Sequence, residues 1–216
     1  MRIDELNLPK YKESAANILK KAGYKRLTKN VGIETAYALV FYKPGQKSVL
    51  KLFDNDDYAY LAFVEMARKH QDNPHFPKFS KGVVDIPGSS YYAVKTELLQ
   101  EIHADVTLVL RFIKAHLTRN PPAYAKLVLS QKIHDRDALT EAINEFMVGY
   151  AEWAKSNPKL VEACEILDQT FGDANGIRFD LHHENIMMRG DTMVFIDPVA
   201  PGDGTMFGHK MFSVIR

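Results

Sequence analysis

The pattern of apolar positions opens with helical spacing. Ala15, Ile18, Leu19 and Ala22 fall on one face, between Pro9, which suits a first helical turn, and Gly23, which stops one. The pattern predicts a helix from Pro9 to about Lys21. The period then shortens. Residues 35–42 and 48–53 read as two strands joined by the turn Lys43-Pro44-Gly45-Gln46, and the second carries Lys51 between Leu50 and Leu52. Tyr58, Leu61, Ala62 and Met66 restore helical spacing over 57–69, and Asn73-Pro74-His75-Phe76-Pro77 ends that helix. Residues 83–86 and 91–96 form a further strand pair around Pro87-Gly88.

After Leu98 the pattern becomes helical, with helices predicted over 102–116, 122–129, 138–155 and 158–170. A last hairpin, 185–188 with 193–196, flanks Arg189-Gly190-Asp191-Thr192. The order describes an α+β chain: a sheet-rich lobe over 1–97 that starts with a basic helix, then a mostly helical lobe over 98–216 that carries the hairpin. There is no internal repeat and no low-complexity segment.

Composition sharpens this picture. The 216 residues are 46% hydrophobic and 25% charged, which supports a substantial core and excludes a disordered chain. The formal charge of +1 argues against a protein that coats nucleic acid. A local basic patch remains in the first 29 residues, where eight bases face three acids; it suits nucleic acid, an acidic partner or plain solvent. The single cysteine, Cys164, excludes an internal disulfide and a multi-cysteine zinc site, and its helical setting points to packing. Trp153, Phe146 and Tyr150 form an aromatic stripe at helical spacing, which reads as core. No leader-like start and no run of 18 apolar residues are present, so a soluble cytoplasmic protein with no membrane association is expected.

The chemistry gathers at Asp180-Leu181-His182-His183-Glu184-Asn185 and at Ile196-Asp197-Pro198. A carboxylate, an amide five residues on, a hairpin and a second carboxylate suit phosphoryl transfer. Asp180 is placed to orient a hydroxyl and take its proton. Asn185 and Asp197 are hard oxygen ligands of the kind Mg2+ shares with nucleotide phosphates. Lys51 supplies a cation for those phosphates, and Glu65, fourteen residues on and flanked by Val64 and Met66, is the acid expected to hold it; Asp57 reads as a helix cap. A zinc site at His182-His183 lacks a third ligand at local spacing.

The run Phe179-Asp180-Leu181-His182-His183-Glu184-Asn185-Ile186-Met187, with Ile196-Asp197-Pro198-Val199 after it, resembles the catalytic and metal loops of the protein-kinase-like superfamily. The likeness is closest to the early serine/threonine protein kinases of short-tailed bacteriophages. The resemblance implies a bilobal kinase-like fold, ATP and Mg2+ as cofactors, and a protein acceptor in the bacterial host cytoplasm. It makes Asp180 the catalytic-loop aspartate, Asn185 and Asp197 the metal ligands, Lys51 the nucleotide-contacting lysine and Glu65 its partner. It also gives Thr96-Glu97-Leu98-Leu99 the adenine, with Glu97 and Leu99 as contacts. Gly32 to Ala36, including Thr35, becomes the loop over the phosphates, and His182 stands beside the transferred phosphoryl group.

The sequence departs from the family pattern at four places. Gly32 is the sole glycine of the phosphate loop, His182 replaces the usual lysine, Pro198 follows Asp197 where phenylalanine is usual, and only residues 199–216 follow Pro198. Three functions fit: a protein Ser/Thr kinase, a non-catalytic kinase-like protein that binds a host factor, and a small-molecule kinase.

Overall fold

A computed structural model describes residues 10–27, 38–54, 56–80, 82–86, 91–174 and 176–202. The chain divides into two compact units, Met1–Lys69 with Pro77–Leu99, and His70–Phe76 with Gln100–Arg216.

The first unit begins with α1 (Lys10–Lys21). Gly23 at φ 83° turns the chain out of this helix, and Tyr24 N–H closes the end by donating to Leu19 O at 3.0 Å. Then follow β1 (Lys25–Arg26), β2 (Ala38–Tyr42), β3 (Ser48–Asp54), α2 (Tyr58–Lys69), β4 (Val84–Asp85) and β5 (Tyr91–Glu97). The strands form one antiparallel sheet in the order β1-β2-β3-β5-β4. β1 is too short to carry a period and was not expected.

Strand parity gives the sheet two faces. Leu39, Phe41, Leu52, Tyr91 and Ala93 share one buried cluster with Leu19 of α1 and with Ile86. Lys51, paired with Val40 and Val94, lies on the other face, as does Phe53. There α2 packs: the rings of Phe53 and Tyr60 meet edge to face at 4.8 Å. Asp57 caps α2, its Oδ1 accepting from Tyr60 N–H at 3.1 Å. The buried residues of α2 are Ala59, Tyr60, Phe63, Val64, Met66 and Ala67.

The second unit holds α3 (Thr107–Leu117), α4 (Pro121–Leu129), α5 (Arg136–Ser156) and α6 (Pro158–Phe171). α3 starts later than the apolar pattern predicts, because Asp105 Oδ1 takes the N–H of Thr107 at 2.9 Å in a local turn. Its Phe112 meets Phe146 at 5.1 Å, Trp153 at 5.8 Å and Tyr150 at 6.1 Å; of the predicted aromatic stripe Trp153 is core, while Phe146 and Tyr150 are half-buried at its edge. Gly149 makes room for it: a Cβ there would lie 3.2 Å from the Phe112 ring. Cys164 is fully buried, and desolvation pushes its thiol pKa up to about 12.

Beyond α6 come β6 (Ile177–Phe179), a 3-10 turn (His183–Asn185), β7 (Ile186–Arg189), β8 (Thr192–Phe195) and β9 (Val199–Pro201). β6 pairs with β9, and β7 with β8. The terminator at 73–77 does more than end α2. Asn73 Nδ2 donates to Lys159 O at 3.0 Å, Phe195 N–H donates to His75 O at 2.9 Å, and Arg189 donates to Pro74 O and Phe76 O at 2.7 and 3.0 Å. Segment 70–76 is thereby built into the second unit. Among the described residues no helix is long and apolar enough to cross a membrane.

Candidate functional site

Asp180 leaves β6 and Pro198 enters β9. The β6–β9 ladder pairs Phe179 with Val199, so the two loops start from adjacent points. Asp180 N–H donates to Pro198 O at 2.9 Å, and Ile196 N–H donates to Asn185 O at 2.9 Å. These two bonds bracket Asp197. The main chain therefore holds Asp180, Asn185 and Asp197 in one small region of the second unit.

Asn185 is the hub, only 4% exposed. Its Nδ2 donates to Asp180 O at 2.7 Å and lies 3.3 Å from Asp180 Oδ2. It also donates to His182 Nε2 at 2.9 Å. With Nε2 accepting, the neutral ring carries its proton on Nδ1. His182 thus ties the loop together. All of these bonds use the nitrogen end of the amide, and no hydrogen bond of the described residues uses Asn185 Oδ1. That leaves a hard carbonyl oxygen without a hydrogen bond on a residue whose main chain is bonded to Ile196, the neighbour of Asp197.

The carboxylate of Asp180 remains one-third exposed. Arg178 Nη1 stands 3.8 Å from Oδ1, and His182 Nε2 3.6 Å from Oδ2. Arg178 was not singled out from sequence. Two positions before Asp180 on a short strand, it projects beside that carboxylate. His183 points elsewhere, its ring turned 72° from that of His182 and its side chain 74% exposed.

Among the described residues no group of three or more His, Cys, Asp and Glu could hold a metal ion. An amide oxygen and one carboxylate are the sparse, oxygen-only set that Mg2+ accepts while keeping water and phosphate as its other ligands.

In the first unit, the Lys51 ammonium sits over the Tyr60 ring, 3.4 Å from its centroid. Glu65 is not brought to it: among the described residues Glu65 enters no ion pair or hydrogen bond. The cause is helical phase. At about 100° per residue, Glu65 points away from the arc formed by Ala59, Tyr60, Phe63, Val64, Met66 and Ala67. The pairing expected from spacing is thus replaced by a cation–π contact.

Glu97 and Leu99 sit where β5 ends. Glu97 N–H donates to Lys78 O at 3.2 Å and Leu98 N–H to Lys47 O at 3.1 Å, while the Glu97 carboxylate accepts from Lys78 N–H at 2.7 Å. The Leu99 N–H and C=O enter no hydrogen bond among the described residues, which leaves a donor and acceptor on one main-chain unit. Gly32 and Thr35, expected in the phosphate loop, lie outside the described residues.

The element order, an antiparallel sheet with one helix between β3 and β4, then helices and a loop–hairpin–loop, is that of a bilobal protein-kinase-like fold. No family model and no curated protein matches the chain. Among solved structures it is similar to the kinase PK-1 of the Cydia pomonella granulovirus, with 16% identity and a TM-score of 0.40. That likeness covers 88% of this chain but only 60% of PK-1, so the chain spans less than two thirds of that kinase's length.

Proposed function

We propose that this chain transfers the γ-phosphoryl group of ATP to a serine or threonine hydroxyl of a protein. The observation that supports this most is the bonding of Asn185. Its nitrogen end anchors Asp180 and His182, and its oxygen end enters no hydrogen bond among the described residues. An anchoring amide with an unused oxygen is what a cation ligand beside a catalytic carboxylate requires.

In this reading Asp180 accepts the proton of the acceptor hydroxyl. That oxygen bonds to the γ-phosphorus as the bridge to the β-phosphate breaks, and ADP departs. Asn185 Oδ1 and Asp197 would hold Mg2+, which neutralises charge on the phosphates. Lys51 is assigned to the nucleotide phosphates, with Tyr60 positioning its ammonium. The Leu99 main chain, with the Glu97 end of β5, is assigned to the adenine edge. Arg178 takes over part of the positive field that a lysine at position 182 would give. Acceptors among bacterial host proteins follow from the phage-kinase resemblance of residues 179–200.

The test is label transfer from γ-labelled ATP to bacterial lysate proteins. Asp180→Asn keeps the shape of the loop and removes the base, so incorporation should fall about a hundredfold or more. Equal labelling by wild type and D180N, or none by either in folded protein, would instead favour a non-catalytic kinase-like interaction protein. Label appearing only in small molecules would favour a metabolite kinase.

A further inference from the structure

The second unit contains a pocket of about 280 Å³ that shares no residue with the Asp180, Asn185 and Asp197 loops. Its apolar walls come from Val106 and Val109 of the α3 region, Leu160 of α6, and Met188 and Met193 of the β7–β8 hairpin. Besides the exposed His103 and Asp191, three of its residues carry unused hydrogen-bonding capacity. Trp153, 7% exposed, lines it, and the buried indole N–H has no hydrogen-bond partner. Such a donor loses its hydration without a compensating hydrogen bond, which a ligand acceptor would restore.

His75 also lines it. Its Nδ1 lies 2.7 Å from Met193 O, and a carbonyl only accepts, so Nδ1 carries the proton. Burial lowers the pKa of this imidazole from 6.5, which keeps it neutral, so Nε2 is a bare acceptor. No hydrogen bond of the described residues uses it. Asn157 donates Nδ2 to Trp153 O at 2.8 Å, and its Oδ1 accepts nothing among the described residues.

One donor and two acceptors on its less exposed residues, with the exposed His103 and Asp191 also in the lining, define the complement. We infer that this pocket binds a compact, uncharged, planar molecule that pairs a hydrogen-bond acceptor, for the Trp153 indole, with an N–H donor, for His75 Nε2 and Asn157 Oδ1. This is the chemistry shared by primary aryl amides and free nucleobases. The volume falls just below the range that holds drug-sized ligands, which limits the occupant to one or two rings.

Trp153 is the only tryptophan, so a single indole N–H resonance reports on the site. Benzamide and adenine are titrated to millimolar concentration on ¹⁵N-labelled full-length protein, with toluene and benzoate as controls. At least one of the two amide-like probes should move the indole proton downfield and saturate, while toluene, which has no acceptor, produces no downfield shift and benzoate binds at least about tenfold more weakly. Which probe binds tighter separates the amide source from the nucleobase source. Val109→Phe and Ile102→Phe fill the pocket from different segments, and either, once folded, should weaken binding at least about tenfold. No saturable shift with either probe, an equal shift with toluene, or undiminished binding in a folded filled variant would overturn the inference.

Discussion

Asn185 joins two features that the sequence presents separately: the base candidate and the neighbouring imidazole. Asn185→Ala removes the donor to Asp180 O and His182 Nε2 at a 4% exposed position. It should therefore cost stability, about 1–3 kcal/mol, as well as function. A lowered urea midpoint with unchanged slope is the expected result; an unchanged midpoint would mean the amide does not hold the loop. Lys51 gives a second prediction at this scale. Tyr60→Phe keeps the ring under the ammonium and should leave ATP affinity near wild type. Tyr60→Leu removes a cation–π contact of about 1 kcal/mol, so affinity should fall several-fold in a nucleotide titration. Equal affinity in both variants would show that Tyr60 does not position Lys51. Asp180, Asn185 and Asp197 were legible in the sequence because their relation is local, set by one loop, one hairpin and the strand pair around them. Arg178 and Tyr60 were not, because a basic residue on a short strand and an aromatic in an apolar helix carry no pattern that marks them.

The helices and the longer strands followed the apolar period, with ends displaced where a side chain captured the backbone. α3 is the clearest case, its start fixed by Asp105 and Thr107. α2 shows a different limit. Its existence and its Asp57 cap were readable, but its orientation was not. Tyr58, Leu61, Ala62 and Met66 suggest one face, whereas Ala59, Tyr60, Phe63, Val64, Met66 and Ala67 form the buried one, with only Met66 in common. A helix apolar on nearly every side gives a weak amphipathic signal, and the sheet is met by the face that buries Tyr60 and Phe63, the larger rings. That half-turn explains why Glu65 points away from Lys51. β1, β6 and β9 were missed for a simpler reason, since two or three residues are too few to show alternation. Yet the β6–β9 pair is what sets the two loops side by side.

At the scale of the molecule, composition foretold a chain with a sizeable core, and the apolar clusters of the two units supply it. The docking of segment 70–76 onto the hairpin and α6 was hidden, because it depends on polar contacts between residues more than eighty positions apart. It gives stability a pH dependence. Burial lowers the His75 pKa below 6.5, so the unfolded chain binds a proton that the folded chain refuses as pH falls. The stabilising contribution is complete above the unfolded pKa and is lost as pH drops below it. The urea midpoint should therefore decline from pH 7 towards acid, and less steeply in His75→Gln, which can still donate to Met193 O. Parallel declines would remove His75 as the source.

The central claim, a phosphotransfer site built on Asp180, Asn185 and Asp197, is tested most directly by calorimetric titration of ATP with and without magnesium on wild type and Asp197→Ala. Magnesium should tighten ATP binding to the wild type by about tenfold or more and leave D197A nearly unaffected. Folded wild-type protein that binds no ATP, or a magnesium effect that survives in D197A, would contradict it.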